Sequence, residues 1–217
     1  MLEAPDPFTI AFVPGVTLTR WTSAWAQRQR GIPLAFVTTD SGDQVTVLHE
    51  RLADVSFVRL PVDRAGLSVI PLYDETPVVV VPKQHPVALF ESVSLADLAD
   101  EDRVSESLST EDAVELVAAG GGILIVPQSI ARLHARKDVL ARPVTDAAPT
   151  SIAIAWLEEH TTPAVEEFVG IVRGRTAASS RAIPTPKTEK PAAERPKLKP
   201  RTPQRTRPRT PRKPRGR

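Results

Sequence analysis

The 217-residue chain has no cysteine, so neither a disulfide framework nor thiolate zinc ligation is available, and secretion gains no support from cysteine usage. Its four histidines, His49, His85, His134 and His160, show no metal-ligand spacing. No nucleophile stands in recognisable pairing with a base, and an enzyme is not expected. No apolar run approaches the length of a membrane span, and Met1-Leu2-Glu3-Ala4-Pro5-Asp6-Pro7 lacks the basic and apolar regions of a signal peptide. The expectation is a cytoplasmic protein with no cofactor, no metal and no membrane partner.

What is present suits a globular core, with 41% hydrophobic residues. The formal charge of +2 conceals an asymmetry. Residues 181–217 hold 14 lysines and arginines against 2 glutamates, leaving 14 basic against 24 acidic residues in 1–180. The basic segment also carries 9 of the 22 prolines and almost no large apolar side chain. Such a composition cannot bury enough surface to offset ordering entropy, and residues 177–217 are expected to form a disordered tail.

Upstream of the tail, short apolar strands alternate with amphipathic helices. Phe8–Val13 reads as a buried strand, and Pro14-Gly15 as a turn into a helix from about Val16 to Arg30 with Leu18, Trp21 and Trp25 on one face. Leu34–Thr38 is the next strand. Asp40 or Ser41 can cap a helix through Gln44–Arg51, with Val45, Leu48 and Leu52 inward, and Val55–Val58 follows as a strand. The continuous β-branched run Val78–Val81 suits a strand buried on both faces. Ser109 or Thr110 begins a helix that ends at Gly120-Gly121-Gly122, and strand Ile123–Val126, a helix from Gln128 to about Ala135, strands near Val139–Pro143 and Ile152–Trp156, and helix Pro163–Arg173 complete the series. This succession predicts an α/β fold with parallel sheets and helices on both faces.

Four places bear on ligand binding. Gly120-Gly121-Gly122 follows a helix and precedes a strand, the reverse of a phosphate-cradling loop, and reads as a helix C-cap. The loop Thr38–Asp43 follows a strand and opens a predicted helix, which suits either a small anion at the helix N-terminus or a plain cap. Pro14-Gly15-Val16-Thr17 lies at the other strand-to-helix switch, where open α/β sheets bind ligands. Arg59, ending a strand, can hold a carboxylate by two parallel hydrogen bonds or pair with Asp63, Asp74 or Glu75.

Asp54-Val55-Ser56-Phe57-Val58-Arg59-Leu60-Pro61, then Pro71-Leu72-Tyr73-Asp74-Glu75 and Val78-Val79-Val80-Val81-Pro82-Lys83-Gln84-His85-Pro86, resemble the middle of the effector-binding domain of LysR-type transcriptional regulators. Phe8–Gly15 is similar to that family's first strand and loop, and Val117–Pro127 to its helix, glycine turn, strand and proline. The resemblance implies two Rossmann-like, periplasmic-binding-protein-like subdomains over residues 8–176, the first comprising about 8–80 and 150–176, the second about 81–149. It implies a small, anionic metabolite as effector, bound by Gly15, Val16, Thr17, Ser41, Arg59, Pro127 and Gln128, and a homodimer formed through the first subdomain. Glycine at position 15 replaces the family's frequent hydroxyl residue. Fewer residues separate Leu98 from Ser109 than the family usually places there, so the second subdomain is expected to be shortened. The family's winged helix-turn-helix is not seen before Phe8.

An alternative places the activity in the tail. Arg205, Arg207, Arg209, Arg212, Lys213, Arg215 and Arg217 are interleaved with prolines, and Pro214-Arg215-Gly216-Arg217 is similar to an AT-hook core. Attachment to nucleic acid by counterion release competes there with a merely solubilising role.

Overall fold

Alternation along the strands sets the two faces of each sheet, because successive side chains of a strand point to opposite sides. The computed structural model describes residues 6–105 and 107–175. The tail, including the seven cations from Arg205 to Arg217, lies outside the described residues.

The first sheet contains β1 (Phe8–Phe12), β2 (Leu34–Thr38), β3 (Val55–Leu60), β4 (Leu67–Glu75) and β8 (Thr150–Leu157), in the order β2-β1-β3-β8-β4. One face carries Phe8, Ile10, Val55, Phe57, Ile152, Ile154 and Trp156, and is covered by α1 (Thr19–Arg28) and α5 (Pro163–Val172). Trp25 stacks on Phe8 with ring centroids 4.7 Å apart and meets the edge of Phe168, while Trp21 stacks on Phe57 at 4.7 Å. The expected inward face of this helix is therefore the observed one. The opposite face shows smaller residues, Ala11, Val58, Ala153 and Ala155, beneath the single turn α2 (Thr46–His49).

The second sheet is smaller, β6-β5-β7, made of β5 (Pro77–Pro82), β6 (Leu124–Pro127) and β7 (Val139–Pro143). Val80 faces α3 (Thr110–Ala118) with Val114 and Val117, while Val79 and Val81 face Val87, Leu98 and Ile123 on the other side. Isolated bridges Val93↔Val144 and Arg103↔Ile123 stand where further strands would extend this sheet. α4 (Gln128–Leu133) follows β6 directly. Ser109 caps α3 by accepting from the Asp112 N–H, and Gly120, at φ +84°, ends it as the glycine run predicts.

Three expectations need correction. The first sheet is mixed and the second antiparallel, not all-parallel: β1 is parallel to β2 and β3, but β8 returns antiparallel between β3 and β4, and β5 is antiparallel to both neighbours. In the first sheet the antiparallel pairing follows from the chain's path, which leaves through β4 into β5 across Thr76 and comes back through β8 between β3 and β4. The chain crosses from the first sheet to the second at Thr76. The first helix begins at Thr19 instead of Val16, since Gly15 takes φ +90° and Val16–Leu18 remain non-helical. The second helix shrinks to Thr46–His49, with residues 41–45 in turns and no side-chain cap. Gln44 is diverted to the backbone of Arg59, and Arg51, at φ 57°, turns Leu52 outward, where it is 58% exposed.

Candidate functional site

The two sheets approach each other at the ends of β1, β3 and β4. Gln44, buried, accepts from the Arg59 N–H at 2.8 Å and donates to the Arg59 carbonyl at 3.1 Å, completing the backbone of β3 at its end. Ser56 Oγ donates to the Gln44 carbonyl at 2.7 Å and fixes that side chain's own backbone. Thus held, Arg59 reaches Glu75 at the end of β4. Its Nε donates to Oε2 at 2.6 Å and Nη2 to Oε1 at 3.2 Å, and Nη2 also donates to the Pro14 carbonyl at 3.0 Å. Of the acids weighed for Arg59, Glu75 is the one it meets.

Glu75 gathers further donors from the start of β8 and from the second sheet's side. Thr150 Oγ1 donates to Oε2 at 3.0 Å, and Ser129 Oγ on α4 donates to Oε1. Burial raises the Glu75 pKa, but the hydrogen bonds from Arg59 and Ser129, the Arg59 charge and the bond from Thr150 together outweigh it, holding the carboxyl below its ordinary value. One carboxylate therefore joins β3, β4, β8 and α4 at the crossing between the sheets.

Gly15 packs against the same serine. A Cβ on residue 15 would lie 2.6 Å from Ser129 Oγ, and its φ of +90° also favours glycine. Beside this contact lies an open cleft of about 580 Å³ lined by Phe12, Pro14, Gly15, Val16, Thr17, Thr38, Ser129, Arg132 and Leu133. Arg132 is the charged residue of this lining, and none of the ion pairs among the described residues engages it.

The cleft brings together Gly15, Val16 and Thr17 of the predicted site. Arg59 stands behind Pro14, in the Glu75 network. Pro127 pairs with Pro77 at the crossing, and the Gln128 N–H donates to the Thr76 carbonyl. The Gln128 residue lines a separate hollow of about 330 Å³ with Arg132, Arg136 and Val139. Ser41 is exposed in the turn before α2 and lines neither space. Thr38, from the loop weighed as an anion site, does line the cleft, whereas Ser129, Arg132 and Leu133 were missed. The available signal was their place on the same short helix as Gln128, next to it or about one turn further on.

The model of the LysR substrate binding domain matches residues 6–108 and 102–177. The chain belongs to this family. Among its relatives, the HTH-type transcriptional regulator BudR of Raoultella terrigena is 25% identical over 197 residues, covering 73% of this chain and 68% of BudR. A probable hydrogen peroxide-inducible genes activator of Mycobacterium avium is 27% identical over 142 residues, covering 53% of this chain and 46% of the relative. The chain thus matches under half the length of that relative. The relatives named are transcription regulators, not enzymes.

Solved LysR structures share the fold. The BenM effector binding domain with its effector benzoate superposes with a TM-score of 0.67 at 21% identity, covering 82% of this chain and 95% of BenM's domain. An H2O2-bound cysteine variant of Corynebacterium glutamicum OxyR gives 0.64 at 22% identity, with 77% and 65% covered. Among the described residues no helix of this LysR-family domain is long and apolar enough to cross a membrane.

Proposed function

We propose that this LysR-family domain is the sensing part of a cytoplasmic transcription regulator and that its effector is a small anionic metabolite. The observation that carries the reading is the cleft between the Gly15–Thr17 loop and α4, where residues attached to the two sheets line one space of about 580 Å³. Its volume falls within the roughly 300–1,000 Å³ of small-molecule sites, and its lining combines apolar walls with a few polar groups. Thr17, Thr38 and Ser129 supply hydroxyls, and Phe12, Val16 and Leu133 supply apolar surface. Arg59, Pro127 and Gln128 act from behind, by fixing the crossing strands.

A ligand touching both sides of the cleft changes the relative stability of their arrangements by its differential affinity for them, which is what a sensor requires. The protein has no catalytic part in this reading. It pairs with a second copy through the first sheet's lobe, where the edge strand β2 leaves Phe36 51% exposed. The charge split between residues 1–180 and 181–217 favours an additional, salt-sensitive contact of the tail with nucleic acid.

Thermal melting of the 217-residue chain with aromatic, keto and dicarboxylic acids tests the effector reading. A ligand at a hundredfold excess over its Kd adds about 2.7 kcal/mol to stability. At least one acid should raise the melting temperature by several degrees. No shift across the panel at millimolar concentration would contradict the reading.

A further inference from the structure

Resting on the effector reading above, we infer that Arg132, and not Arg59, holds the anionic group of the effector, and that the effector is a monocarboxylate with an apolar body. The two arginines differ in what already occupies them. Arg59 is forked onto Glu75, with side-chain exposures of 13% and 3%, and also donates to the Pro14 carbonyl. Turning it toward a ligand would leave Glu75 buried without its cation, which costs more than one exposed carboxylate contact returns. The Arg59–Glu75 pair is also electrically neutral as a unit and offers an anion little attraction.

Arg132 has neither constraint. It lines the cleft, is exposed, and is joined to no acid among the described residues. It is the one charged residue of the lining, so the cleft carries a single uncompensated positive charge and matches a single negative one. A guanidinium receives a carboxylate through two parallel hydrogen bonds. Around it, Phe12, Val16 and the half-exposed Leu133 form apolar surface that a second carboxylate would have to desolvate against without a partner. Thr17 and Thr38 lie on the other side of the cleft and supply hydroxyls for orientation.

Calorimetric titration of the 217-residue chain tests this with benzoate, phenylacetate and cyclohexanecarboxylate, the neutral analogue benzamide, and succinate. Wild type should bind at least one monocarboxylate, and bind it tenfold or more tightly than succinate or benzamide. Arg132→Gln should lose at least tenfold in affinity for that acid and most of the preference for acid over amide. Because Arg132 is exposed and unpaired, the melting temperature of the unliganded variant should match wild type, which separates loss of binding from loss of fold. Monocarboxylate binding unchanged by Arg132→Gln, but reduced by Thr17→Val, would overturn the assignment of Arg132 and leave the effector reading standing. Tighter binding of succinate than of every monocarboxylate would overturn the ligand class. Silence of wild type toward all five compounds would overturn the ligand class, and silence toward the whole melting panel would overturn the effector reading with it.

Discussion

Arg59 and Glu75 meet fork to fork, with Arg59 Nε 2.6 Å from Oε2 and Nη2 3.2 Å from Oε1, and this pair binds the end of β3 to the end of β4. Removing one member leaves the other buried without compensation, a change that costs about 3–5 kcal/mol when a buried pair is broken. Arg59→Ala should therefore destabilise the domain by about 3 kcal/mol, the lower end because Arg59 retains some exposure. Each kcal/mol moves Tm by about 2–4 °C in a domain of this size. Replacing both together, Arg59→Met with Glu75→Gln, should cost less than Arg59→Ala alone. Equilibrium denaturation of the three proteins checks this.

The same carboxylate predicts a pH dependence. Glu75 has a folded pKa below its unfolded value of about 4.3, so the folded state binds fewer protons. Its contribution is complete above the unfolded value and is lost as pH falls through the depressed folded value. Melting curves between about pH 5 and about pH 3 should fall less steeply for Glu75→Gln than for wild type, because the glutamine has no proton to take up. Parallel curves would show that Glu75 is not held in its charged form.

Gly15 and Ser129 make a second, steric relationship. Gly15→Ala should destabilise by about 1–3 kcal/mol, since alanine is strained at φ +90° and its Cβ meets Ser129 Oγ. Adding Ser129→Ala relieves the closest contact but leaves the residue 129 Cβ at 3.0 Å and removes a donor to Glu75, so the double variant should recover only part of the loss. Costs that simply add would show that the two residues do not share the space.

The glycine run separates conformation from crowding. Gly120 has φ +84° and open space around a hypothetical Cβ, whereas at Gly122 that atom would lie 2.5 Å from the Asp102 carbonyl oxygen. Gly120→Ala should cost about 1–2 kcal/mol, the ordinary penalty of a left-handed residue. Gly122→Ala should cost more, by displacing the segment that bridges Arg103 to Ile123. Chemical denaturation reads both.

Much of the fold was legible because its information is local. The run Val78–Val81 announced a strand buried on both faces, and Ser109 and Gly120 marked the ends of α3. Strand direction was not legible, because it depends on where β8 inserts after the chain has passed through the second sheet. The second helix was overpredicted because Gln44, polar and in helical register, has a stronger use at the Arg59 backbone, which no local pattern reveals. The site was half legible for the same reason. Gly15, Val16 and Thr17 follow from a strand-to-helix switch, but the role of Glu75 depends on donors 54 and 75 residues away in sequence, Ser129 and Thr150.

In the proposed reading, the cleft between the Gly15–Thr17 loop and α4 receives a small anion. A crystal structure of the chain with the acid that most raises its melting temperature tests this most directly. Density for that acid is expected between Thr17 and Arg132, with its carboxylate within hydrogen-bonding distance of the Arg132 guanidinium and its apolar body against Val16 and Leu133. An empty cleft, with the acid bound elsewhere on the domain, would contradict it.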